Sequence, residues 1–79
     1  MTEQKIQNKR IKQLEAEGYY VIKLTVTNKN GIPDLIAIPK DSKVLFVECK
    51  TKEGKVSDLQ KYRIKELKEY AKTEIYRGG

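Results

Sequence analysis

The chain has no histidine, no tryptophan, two prolines and one cysteine. Without histidine there is no Ser-His-Asp triad, no histidine-ligated metal nuclease and no histidine general base. One cysteine excludes a disulfide framework within the chain and any cysteine-rich zinc site. A lone thiol fits a reducing compartment, so a cytoplasmic location is expected. The opening MTEQKIQNKR carries no apolar stretch, which predicts no signal peptide. No apolar run approaches ~20 residues, so no transmembrane helix and no membrane partner are expected. There is no repeat, no low-complexity tract and no internal linker. The 79 residues are read as one small domain spanning 1–79. A core of that size stabilises only marginally, so self-association would help it.

What the chain does have is positive charge. Lys and Arg number 17 against 11 Asp and Glu, a net charge of +6, and the pI is about 9.5. That balance points to polyanions, with nucleic acid first and anionic membrane second. Charged residues make up 35% and apolar residues 38%, with a mean hydropathy of −0.70. Such a mixture describes a folded, strongly solvated domain rather than a disordered tail.

Residues 3 to 17 carry Ile6, Ile11, Leu14 and Ala16 among charged neighbours, with Thr2 as a cap and Gly18 as a left-handed stop. This predicts a first helix. Residues 19 to 27, YYVIKLTVT, are rich in β-branched and aromatic types and predict a strand. Asn28 to Gly31 is turn chemistry. Residues 34 to 38 predict a second strand, and Pro39 to Ser42 a turn. Residues 43 to 50, KVLFVECK, predict a third strand; its apolar run suggests a central position covered on both faces. A basic loop around Gly54 follows. Ser57 with Gln60 three residues later is a capping-box pattern. It opens a second helix to about Lys72, with Leu59, Tyr62, Ile64, Leu67, Tyr70 and Ala71 supplying apolar contacts. Residues 73 to 76 predict a short last strand. The order is α-β-β-β-α-β, an α/β class with helices flanking a small mixed sheet.

Two carboxylates and a lysine fall at strand ends. Asp34 opens the second strand; Glu48 and Lys50 close the third. Strand side chains alternate, so Glu48 and Lys50 share a face and Cys49 points away. A hairpin turning at 39–42 would set Asp34 beside Glu48, 14 residues later. Adjacent carboxylates repel unless a cation lies between them. Oxygen ligands suit Mg²⁺ or Mn²⁺, with the Cys49 carbonyl as a further oxygen. Such an ion activates water and offsets charge on a phosphoryl oxygen. Lys50 is then placed to serve the water or to stabilise the phosphorane.

Gly31-Ile32-Pro33-Asp34 followed by Glu48-Cys49-Lys50 resembles the PD-(D/E)XK nuclease signature. The wider order is similar to a stand-alone virus-type replication-repair nuclease (VRR-NUC) domain: Glu3 on helix one, Gly18 before the first strand, then GIPDLIA, VECKTKEGKVSDLQ and a closing helix. The likeness covers nearly the whole chain. It implies a restriction-endonuclease-like fold and metal-dependent DNA cleavage. It makes Asp34, Glu48 and the Cys49 carbonyl metal ligands, and Lys50 the catalytic lysine. Glu3 resembles the helix-one acid that assists the metal, and Gln60 a glutamine near the active site. Some relatives carry a tyrosine four residues after that glutamine; here the position is Ile64. Stand-alone members look like junction-resolving enzymes, which act as symmetric dimers. This makes branched DNA, such as a four-way (Holliday) junction, the expected substrate, and a homodimer the expected assembly. A phage or prophage origin in a bacterial host would fit.

Each motif also has a plainer reading. Gly31 to Asp34 is turn chemistry, and Glu48 with Lys50 is an ordinary ion pair. Against that, an acid interrupting a central apolar strand is costly without a partner. Glu3 sits where a helix dipole favours acids, and Gln60 has its capping role. Lys52 and Lys55, in the loop after the third strand, are the leading phosphate contacts, with Lys29, Lys9 and Arg10 as further candidates. Most other basic residues, Lys61 among them, are read as solvated charge. Two rival functions stay open. One is a non-catalytic DNA-binding module on a nuclease scaffold. The other is a partner-binding protein using the Leu59–Tyr70 helix face.

Overall fold

Thr2 caps α1, Glu3–Ala16, its hydroxyl accepting the Lys5 backbone N–H at 3.2 Å. Gly18, at φ +95°, takes the chain out of the helix. The remaining elements of this computed structural model, which describes residues 2–78, are β1 (Tyr20–Lys23), β2 (Leu35–Ile38), β3 (Leu45–Thr51), α2 (Asp58–Leu67) and β4 (Lys72–Gly78). The order α-β-β-β-α-β is the one expected. The strands form one mixed sheet in the order β1-β2-β3-β4. β1–β2 and β2–β3 are antiparallel, and β3–β4 is parallel. A parallel pair needs a crossover, and α2 supplies it.

Alternation along the strands sorts the sheet into two faces. Leu35, Ala37, Val47 and Cys49 pack with Ile6 and Leu14 of α1 into the core. The opposite face carries Ile36, Phe46, Glu48 and Lys50, and α2 crosses it mainly over β4. Strand β3 is central, as its apolar run suggested.

Three elements differ from expectation. β1 stops at Lys23 rather than Thr27. Its only partner, β2, begins at Leu35; the last link is the Leu24 N–H donating to the Asp34 carbonyl at 2.8 Å. Further residues have nothing to pair with. α2 ends at Leu67, well short of Lys72. Leu59, Tyr62 and Tyr70 stay 43%, 55% and 80% exposed, and the apolar side chains most fully buried there are Ile64 and Ala71. β4 is longer than expected, pairing with β3 from Lys72 to Gly78.

Candidate active site

Asp34 lies one residue before β2, and the β2–β3 register pairs Leu35 with Val47. The hairpin therefore brings Asp34 level with Glu48. Beyond the end of β2 the Cys49 N–H has no strand partner on that side. Asp34 Oδ2 accepts it at 2.9 Å. Gly31 makes the approach to Asp34 possible. It adopts φ +80°, and a Cβ there would stand 2.7 Å from the Leu59 side chain on α2. Gly31→Ala is expected to cost roughly 1–3 kcal/mol, because left-handed strain and a steric clash coincide; thermal denaturation measures it.

Glu48 is 1% exposed. Its Oε2 receives the Gln60 side-chain amide at 3.3 Å and faces Lys50 Nζ at 3.7 Å. Its Oε1 is buried and has no hydrogen-bond partner among the described residues. Burial, and next the charge of Asp34, push the Glu48 carboxyl up to about 8, with Lys50 opposing the shift. A desolvated carboxylate with an orphaned oxygen is costly unless something cationic completes it.

Glu3, in the first turn of α1, brings its Oε1 to 4.0 Å from Lys50 Nζ. Lys50 thus sits between two acids from different elements. Gln60 serves two partners at once: its Oε1 accepts the Ser57 N–H at 2.9 Å while its Nε2 reaches Glu48. The capping box and the contact with Glu48 are not alternatives. The Cys49 thiol is in the core, and burial, then Asp34, raise it to about 12. It stays protonated, leaving only its carbonyl as a candidate ligand.

A divalent cation fits this donor set. Among the described residues no three Asp, Glu or Cys side chains form a full cage. Asp34, Glu48 and the Cys49 carbonyl offer a partial oxygen shell. Mg²⁺ tolerates that arrangement because it keeps several waters, and Mn²⁺ accepts the same ligands. Glu48 buried against Asp34 needs a proton or a cation between the two carboxyls, and their oxygen donors are of the kind a divalent cation takes.

The candidate DNA contacts are more dispersed. Lys52 and Lys55 line a concavity beside the end of β3. Lys29 lines the groove that also holds Asp34. Lys9 is exposed on α1, about 9 Å along the axis from Glu3 at the usual helical rise. Arg10 is engaged elsewhere. Its guanidinium binds both Glu74 carboxylate oxygens at 2.9 and 2.8 Å and lies 4.9 Å from the Tyr76 ring centroid. Those bonds tie α1 to β4 and leave Arg10 little to offer a phosphate. Arg10→Ala is expected to lower stability by about 1–2 kcal/mol, as for a half-buried bidentate pair, read from a denaturant melt.

The VRR-NUC domain profile matches residues 2–77. The chain belongs to the VRR-NUC family. A solved structure described as a VRR_NUC domain agrees with it at a TM-score of 0.83 and 28% identity, over 98% of this chain and 84% of that one. No curated protein matches the sequence. As a VRR-NUC domain the chain has a nuclease-type fold. No helix among the described residues is long and apolar enough to cross a membrane.

Two basic residues beside this VRR-NUC site are not among the DNA contacts expected from the sequence. Arg77 is the register partner of Lys50 across β3–β4. Lys61, on α2, joins Lys52 and Lys55 in lining their concavity. Arg77 carries no sequence signal of its own, because the expected last strand ends at residue 76 whereas β4 runs to Gly78.

Proposed function

We propose that this chain, a single VRR-NUC domain over 1–79, is a divalent-cation-dependent deoxyribonuclease that hydrolyses DNA phosphodiester bonds. Its proposed substrate is branched DNA such as a four-way junction. One observation carries the reading: Glu48 is buried beside Asp34 and Lys50 with Oε1 unpartnered. A purely structural acid on a central strand would have its oxygens satisfied.

Asp34, Glu48 and the Cys49 carbonyl are the proposed ligands. A divalent cation held there supplies Lewis acidity toward water and the phosphoryl group. Lys50 directs its ammonium at the reacting phosphate, orienting the attacking water and offsetting charge that grows in the transition state. Glu3 and Glu48 hold that ammonium in place from two sides. Gln60 fixes Glu48 Oε2, keeping the other oxygen available. Lys52, Lys55 and Lys29 bind backbone phosphates, so affinity falls steeply with salt and depends little on sequence.

The branched substrate and the homodimer rest on the likeness of stand-alone family members to junction-resolving enzymes. The exposed Tyr20 and Ile22 on the sheet supply apolar surface for a second copy. The test is to incubate the purified protein with end-labelled four-way junction and linear duplex, with Mg²⁺ or with EDTA. Junction cutting that needs Mg²⁺ is expected. Equal cutting of both substrates keeps the chemistry and discards the junction preference. Binding without cutting, in Mg²⁺ and in Mn²⁺, favours a non-catalytic DNA-binding module.

A further inference from the structure

Arg77 stands at the end of β4, exposed, on the strand beside Lys50. Its side chain turns to the loop that follows β3. Nη1 donates to the Gly54 carbonyl at 2.6 Å and the Thr51 carbonyl at 3.1 Å, with the Lys52 carbonyl at 3.4 Å. One guanidinium nitrogen thus gathers three carbonyls from four consecutive residues. The loop is tight in its own right, since a Cβ on Gly54 would lie 3.0 Å from the Thr51 hydroxyl. Lys52, Lys55, Lys61 and Arg77 line one concavity there, with Glu53 as the only acid. Four cations drawn together repel one another, and solvated lysines normally spread apart. Here β4 and α2 hold two of them against a loop that carries the other two.

We propose that Arg77 is the positioning residue of a phosphate-binding loop. By fixing residues 51–54 it directs Lys52 and Lys55, together with Lys61, onto adjacent non-scissile phosphates of the DNA backbone. This deepens the nuclease reading and rests on it. The loop begins one residue after Lys50, so a phosphate held there registers the strand relative to the reacting bond. Arg77 spends Nη1 on the three carbonyls, and its effect in this arrangement passes through the lysines. Lys61 contacts a phosphate directly in this arrangement.

The test measures affinity for a labelled 20-base-pair duplex across a salt series, with EDTA present so that nothing is cut. Wild type, Arg77→Ala, Arg77→Lys and Lys61→Ala are compared, with melting temperatures in parallel. Lys61→Ala is expected to lower the log–log salt slope by about 1, the loss of one phosphate contact. Arg77→Ala is expected to weaken binding at least tenfold. Arg77→Lys keeps the charge, but its ammonium ends one bond short of the position of Nη1, which makes all three bonds, and it is expected to bind like Arg77→Ala. In Mg²⁺, the loss in both Arg77 variants is expected to fall on KM more than on kcat. Wild-type affinity in Arg77→Lys overturns the positioning role, because charge alone would then suffice. An unchanged salt slope in Lys61→Ala overturns the phosphate site and does so even if an Arg77 variant fails to fold. A wild-type chain that holds no duplex overturns the nuclease reading itself, whereas a wild type that binds beside variants that bind equally well overturns this inference alone.

Discussion

Lys50→Ala is expected to slow DNA cleavage by about a hundredfold or more while duplex affinity stays within a few-fold of wild type. Lys50 projects from the end of the central strand and is largely covered, with its ammonium between Glu3 and Glu48. Glu3 and Glu48 stand 4.0 and 3.7 Å from that ammonium and shield it from approaching DNA in the resting state. It is therefore a poor anchor for DNA at a distance. It becomes effective when a phosphate and a cation enter the same space and redistribute those charges. Removing it should lower kcat, with little change in the salt dependence of binding. A single-turnover assay under saturating protein separates the two effects. Cleavage by Lys50→Ala at the wild-type rate would remove Lys50 from the mechanism.

The second large effect belongs to Glu48. Its carboxyl is raised to about 8 in the fold against an ordinary 4.5, chiefly by burial and then by Asp34. The folded state therefore holds that proton more tightly than the unfolded chain. Stability from this group is fully present below about pH 4.5 and is lost as the pH rises toward 8. In metal-free buffer the melting temperature should decline over that window. Mg²⁺ should reverse the decline at pH 8, because a cation replaces the proton. Glu48→Gln is neutral and nearly isosteric. It is expected to flatten the pH dependence, abolish the Mg²⁺ effect on melting and remove cleavage. A wild-type profile that is flat from pH 5 to 8, with Glu48→Gln melting lower at pH 8, would make Glu48 a structural acid only.

The parts of this site that could be read from the sequence are the local ones. The strand alternation that sets Glu48 and Lys50 on one face needs only three consecutive residues. The meeting of Asp34 and Glu48 needs one hairpin, and its turn residues are visible between them. Thr2, Gly18 and the Ser57–Gln60 box announced helix ends through short-range chemistry. What stayed hidden depends on distant partners. Arg10 looked like a free cation because Glu74 is 64 residues away. β4 looked short because its length is set by β3, its only strand partner, rather than by its own mixed composition. Arg77 was passed over for the same reason. The tyrosines of α2 suggested a buried face, yet the helix stops early and crosses mainly β4, so Tyr62 and Tyr70 remain in solvent.

That Asp34 and Glu48 are brought together to hold a divalent cation is tested most directly by calorimetric titration of Mn²⁺ into the metal-free protein at pH 7.5, beside its Asp34→Asn variant. Saturable uptake by the wild type, weakened at least tenfold in Asp34→Asn, is the expected result. No uptake by a folded wild type, or equal uptake by both proteins, would contradict the assignment of these carboxylates as a metal site.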